Sequence, residues 1–225
     1  MTKKKEETKK APPLRVGSIF ETMVGLYDCN VLPGWSEYNH EIIATVMKER
    51  IDNPEGVYRS NSAGTWHSSD KLFEKPELRR LQETEAGLCS SYIKACWRGK
   101  PTDKFKMRFQ AWAMMYSKGG YATYHTHPNC HLSVVYFCHD SPEEEKVMAT
   151  GVKVRPGDLE FVDTRCNEQH MLPNLVQFPT YRVTPKAGNI VVFPSWLPHF
   201  VHPVSGEKDR ISIAANMTIM QHIRE

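Results

Sequence analysis

Three histidines and one arginine define what chemistry this sequence can support. His125 and His127 stand two apart in Tyr124-His125-Thr126-His127-Pro128-Asn129. His199 closes Phe193-Pro194-Ser195-Trp196-Leu197-Pro198-His199, and Arg210 follows eleven residues later. Side chains two apart on a strand share a face, so His125 and His127 can grip one metal ion, and a return strand can bring His199 as a third ligand. Alternation in Arg210-Ile211-Ser212-Ile213 puts Arg210 and Ser212 on one face, opposite Ile211 and Ile213. A guanidinium in a β-lined pocket binds a carboxylate through two parallel hydrogen bonds, for which its planar fork is suited. Tyr136, directed to the same interior, would add a hydroxyl to that carboxylate.

Neutral imidazole suits Fe(II), and a facial set of three protein ligands leaves positions for a bidentate keto acid and for dioxygen. Of the ten histidines, His40, His67, His131, His139, His170, His202 and His222 read as surface or packing residues. Six cysteines, Cys29, Cys89, Cys96, Cys130, Cys138 and Cys166, show no CxxC spacing and fit reduced thiols that pack as small apolar residues.

The elements that position these residues follow from hydrophobic pattern. At 225 residues the chain suits one well-buried domain, here residues 14–225, after a basic tail at 1–13 expected to be disordered. That tail carries five lysines against two glutamates and accounts for the whole formal charge of +3. The body is therefore balanced and lacks a basic stripe, which argues against nucleic acid as partner. No apolar leader or bilayer-length run is present, so a cytoplasmic protein without membrane contact is expected. Up to about residue 105 the pattern predicts mixed structure with two helices. The first carries Ile42, Ile43, Val46 and Met47; the second opens at Pro76 and carries Leu78, Leu81, Leu88 and Tyr92. From about 106 to 220, short β-type runs predict a mainly β, double-sheet core supported by helices on one face. The first run, Phe109 to Tyr116, is expected to stop at Lys118-Gly119-Gly120. An exposed sheet edge would permit a homodimer, although no residue pattern requires one.

From Tyr124 through Asn216 the sequence resembles the 2-oxoglutarate- and Fe(II)-dependent oxygenase superfamily. It is most similar to an uncharacterised bacterial and phage branch. The segments carrying the resemblance are His125-Thr126-His127-Pro128, Ser133 to Phe137, Gly157-Asp158-Leu159-Glu160-Phe161-Val162-Asp163 and Phe193 to His199, with Ser60 to Ser68 upstream. The resemblance implies a double-stranded β-helix of jelly-roll or cupin-like type. It also implies His125 and His199 as iron ligands and Arg210, helped by Tyr136, on the far carboxylate of 2-oxoglutarate. The wider superfamily has an acid where this chain has His127. The second ligand is then His127 itself, in an all-histidine set, or Asp163 from another strand, or Asn129 with His127 as first ligand. We favour the all-histidine set.

On this reading the chain is a hydroxylase using Fe(II), 2-oxoglutarate and dioxygen on a peptide side chain or small metabolite. Asp163 and Arg165 are the candidates for substrate contact, and Trp66, Trp112 and Trp196 for an aromatic entrance. Two other classes fit parts of the pattern: a cupin-like three-histidine metalloenzyme without keto acid, and a non-catalytic jelly-roll module with structural histidines.

Overall fold

The computed structural model describes residues 21–96, 103–140, 146–147, 153–165 and 180–223; the lysine-rich tail at 1–13, Cys166 and His170 lie outside them. In chain order the elements are β1 (Gly25–Asp28), α1 (Trp35–Asp52), β2 (Ser62–His67), α2 (Arg79–Cys96), β3 (Lys104–His125) and β4 (Leu132–Phe137). There follow β5 (Lys146–Val147), β6 (Lys153–Val154), β7 (Leu159–Val162), β8 (Thr180–Val183), β9 (Asn189–Pro194), β10 (His199–Val201) and β11 (Arg210–Ile223). Strands β5 and β6 pair with each other. The remaining nine form one antiparallel sheet in the order β1-β9-β4-β11-β3-β10-β7-β8, with β2 added on β3. The sheet curls on itself as a double-stranded β-helix.

The curl depends on β3. Its residues 104–116 pair with β11, whereas Ala122 and His125 pair with β10. The expected stop at Lys118-Gly119-Gly120 does not occur. Gly119 adopts φ 80, and a Cβ on Gly120 would stand 2.3 Å from the Gly64 carbonyl oxygen of β2. Glycine at these two positions redirects the strand from one layer to the other instead of ending it. The N-terminal half is more than helical support, since β1 pairs with β9 and β2 with β3.

The helices cover the outer face of the larger layer. α1 starts at Trp35, after Gly34 at φ 64, and buries Trp35, Tyr38, Asn39, Ile42 and Val46; Met47 is exposed. In α2, a 3-10 turn over Pro76–Leu78 precedes the helix, and Leu81, Glu85, Cys89 and Ile93 form its buried stripe. Gly87 does not break the helix, and a Cβ there would meet open space. Against these helices pack Val134, Tyr136, Ile190, Val192, Ile211, Ile213, Ala215 and Met217. The alternate residues Val135, Phe137, Val191 and Phe193 face inward, where they meet Leu159, Phe161 and Val201 of the opposing layer. No helix among the described residues is long and apolar enough to cross a membrane.

Glu85 is an exception within the helical layer. It is fully buried, neither carboxyl oxygen has a hydrogen-bond partner, and burial raises its pKa well above the usual carboxylate range. Above the unfolded-state pKa of about 4.3, the folded chain then holds a proton that the unfolded chain releases, so stability falls as pH rises. Glu85→Gln should remove that slope. Thermal midpoints of the two proteins at pH 5.5 and 8 check it: the wild type should lose more stability across the interval than the variant.

Candidate metal centre and anion pocket

His125 ends β3 and His199 begins β10, and the two are direct cross-strand partners. His127 lies on the segment that leaves β3, where its backbone amide donates to the Ser195 carbonyl at 2.9 Å. The three imidazoles converge: one ligand atom from each lies within 4.8 Å of the others. The Nε2 atoms of His127 and His199 are 3.2 Å apart and their rings are parallel within 3°. Two nitrogens each about 2.1 Å from one ion fall at such a separation.

Hydrogen bonds set the tautomers. His125 Nδ1 lies 2.6 Å from the Thr123 carbonyl and His199 Nδ1 lies 2.9 Å from the Leu197 carbonyl, so each Nδ1–H donates to the backbone and Nε2 keeps its lone pair for a metal. His127 stacks on Trp112 with ring centroids 5.8 Å apart and contacts the Asn216 side chain. Burial, reinforced by the neighbouring imidazoles, lowers the pKa of His127 to about 4 and of His199 to about 3, and burial lowers that of His125 as well. All three are neutral at pH 7, the ligating form.

Arg210 opens β11 opposite Tyr116 of β3. It is 2% exposed, with its guanidinium carbon 5.0 Å from the Tyr116 ring and 5.4 Å from the Phe137 ring. Gly157, at φ 79, makes room for it: a Cβ there would stand 3.2 Å from Arg210 Cδ. Asp158 influences Arg210 electrostatically, yet Nε and Nη1 of the guanidinium have no hydrogen-bond partner in the protein. A buried cation with unused donors is costly unless an anion completes it, so the pocket fits a carboxylate. Ser212 Oγ, two residues on and in the same cavity, is also unpartnered. The cavity joining these groups holds about 220 Å³ and is lined by the triad, Arg210, Tyr116, Phe137 and Trp112, with Arg59, His67 and Asp70 on one wall.

The sequence-predicted residues divide. His125, His127, His199 and Arg210 share the cavity. Tyr136 does not, which corrects the expectation: pleat alternation along β4 sends Val135 and Phe137 inward and Tyr136 outward. There its hydroxyl donates to Asn39 Oδ1 at 2.7 Å and accepts from Trp35 Nε1 at 3.1 Å. Tyr116 takes the place beside Arg210. Asp163 and Arg165 pair with each other at 2.8 Å in a separate groove beside Trp196, which is 60% exposed. Neither lines the cavity, and neither does Asn129, which occupies a turn at φ 62. Trp66 donates to the Asn53 carbonyl and packs in the helical layer, leaving Trp112 as the cavity tryptophan. His67, expected to be a packing residue, is in the cavity wall. Its position beside Trp66 in a β-type run was the available signal, since alternation must put the two on opposite faces.

Residues 110–216 match the family model described as "Putative 2OG-Fe(II) oxygenase". No functionally curated protein matches the sequence. Solved structures share the fold at low identity. A Pseudomonas putida prolyl-4-hydroxylase superposes with a TM-score of 0.61 at 14% identity, covering 89% of this chain and 94% of that one. The non-heme α-ketoglutarate-dependent epimerase SnoN of nogalamycin biosynthesis gives 0.63 at 13% identity, covering 89% and 78%. HygX from Streptomyces hygroscopicus, solved with nickel and 2-oxoglutarate bound, gives 0.56 at 11% identity, covering 88% and 84%. The family match covers just under half of the chain and lies over the strands that carry both histidine segments and Arg210, so this part of the chain is similar to the 2-oxoglutarate- and Fe(II)-dependent oxygenases whose fold it shares.

Proposed function

We propose that this chain is a 2-oxoglutarate- and Fe(II)-dependent oxygenase that hydroxylates a small metabolite or a peptide side chain, with His125, His127 and His199 holding Fe(II) and Arg210 holding the far carboxylate of 2-oxoglutarate. The observation that carries the reading is the buried guanidinium with unpartnered Nε and Nη1 in the cavity that the triad also lines. In such a reaction one oxygen atom of O2 enters the substrate C–H bond and the other enters succinate, while the keto acid loses CO2. Bound iron would activate dioxygen, the electrons coming from the keto acid and the substrate C–H bond; the chain supplies position and dryness. Tyr116 and Phe137 fix the plane of the Arg210 fork, and the carbonyls of Thr123 and Leu197 hold two imidazoles with Nε2 toward the metal.

The all-histidine donor set favours a second reading, a cupin-like metalloenzyme without keto acid. That reading leaves the burial of Arg210 without a purpose. Anaerobic addition of Fe(II) and then 2-oxoglutarate separates the two. We expect a weak visible charge-transfer band from the chelated keto acid. Bound metal with no band would favour the cupin-like reading, and absence of bound metal would favour a non-catalytic jelly-roll module.

A further inference from the structure

One wall of the cavity carries charged groups that neither the triad nor Arg210 employs. Arg59 and Asp70 form an ion pair there, with side chains 34% and 43% exposed. The Arg59 guanidinium lies over Trp112, 5.9 Å from its centroid, and Trp112 is the ring on which His127 stacks. Asp70 is held at the same level, because its carbonyl accepts from the Ala111 amide at 3.2 Å. Trp112 and Tyr116, the partner of Arg210, are four residues apart on β3, roughly 13 Å along a strand. The ion pair is thus level with the triad and remote from Arg210. Beside it His67 is 5% exposed, with Nε2 2.9 Å from Ser62 Oγ and a buried Nδ1 that has no partner.

Resting on the oxygenase reading, we propose that Arg59 and Asp70 are the recognition pair for a free α-amino acid, the substrate of this enzyme. A lone arginine would select an anion and a lone aspartate a cation. A wall offering both is matched by a ligand that is neutral overall and carries separated charges, its carboxylate on Arg59 and its ammonium on Asp70. A ligand with one charge would pair with one member and leave the other to water, gaining one ion pair where a zwitterion gains two. An internal peptide residue has neither charge at its backbone and gives Arg59 and Asp70 no reason to separate. The cavity volume of about 220 Å³ is below the roughly 300–1,000 Å³ of drug-sized sites, and 2-oxoglutarate takes part of it. A small amino acid fits what is left, with its side chain toward the triad and His67 Nδ1 available for one further hydrogen bond.

The test uses the full chain with Fe(II) and 2-oxoglutarate. Each of the twenty L-amino acids is added at millimolar concentration, without oxygen to follow the charge-transfer band and with oxygen to follow succinate. At least one free amino acid should shift the band and raise succinate formation more than tenfold, and its N-acetyl and amide derivatives should do neither. Arg59→Gln and Asp70→Asn should raise the concentration needed for the shift at least tenfold while the band itself still forms. A band that no free amino acid shifts overturns the proposal, as does a doubly capped derivative that acts as well as the free acid, which would mark a peptide substrate. Absence of the band in the wild type would instead sink the oxygenase reading, and this proposal with it.

Discussion

Arg210→Met should weaken 2-oxoglutarate binding by about 30- to 5,000-fold, the equivalent of the 2–5 kcal/mol lost when one partner of a buried charge pair is removed. The side chain meets no competing carboxylate hydrogen bond at Nε or Nη1, so those donors are free to serve the cosubstrate. Methionine fills the space between Tyr116 and Phe137 without a charge, and the protein alone should be as stable as the wild type or more so, since a buried cation without a hydrogen-bonded anion has been removed. Arg210→Lys should fall between, retaining the charge but losing the fork. Titration of the charge-transfer band with 2-oxoglutarate, paired with a thermal melt, separates lost binding from lost folding. Unchanged affinity in a folded Arg210→Met protein would remove the carboxylate role from this residue.

His199→Ala should abolish stoichiometric iron and take turnover below detection. His199 is the most enclosed of the triad at 3% exposure, with Phe193 edge-on at 4.9 Å and His127 parallel at 5.1 Å. Disturbing an outer partner of a metal ligand typically costs 10–100-fold in affinity, and loss of a ligand itself should exceed that. The informative companion is His127→Asp, which rebuilds the two-histidine, one-carboxylate facial set. It should retain iron where His127→Ala does not, which distinguishes a ligand at this position from a residue that merely packs on Trp112. Metal analysis of purified, folded variants is the readout; full iron in His199→Ala would end the triad assignment.

What could be read from the sequence was local. Period-two alternation around Arg210 put its side chain opposite Ile211 and Ile213, and the structure has Arg210 and Ser212 in the cavity with Ile211 and Ile213 under the helices. The same rule gave no absolute direction for β4, where every residue from Leu132 to Phe137 is buried, so nothing distinguished the Tyr136 face from the Phe137 face. Tyr116 could not be found because its role depends on pairing with Arg210, 94 positions further along the chain, which only register reveals. Gly119-Gly120 looked like punctuation, since glycine pairs usually end strands. Close approach to Gly64 is a tertiary fact that composition does not carry. Likewise Arg59 and Asp70, eleven residues apart, become a pair only once β2 has docked on β3.

Along β3, Gln110, Trp112, Met114 and Tyr116 line the cavity while Ala111, Ala113 and Met115 pack under the helices. Because the two sets interleave one by one, loss of a single residue in this stretch would exchange them downstream, carrying Met115 into the place of Met114 on the cavity face, Tyr116 into the helical layer and Ser117 opposite Arg210. Loss of two residues would restore the sides but shift Tyr116 out of register with Arg210. This strand is therefore closed to insertion and deletion and open only to substitution. Variation in chain length has to be absorbed outside this strand, and a change of substrate preference on this wall has to come through side-chain replacement.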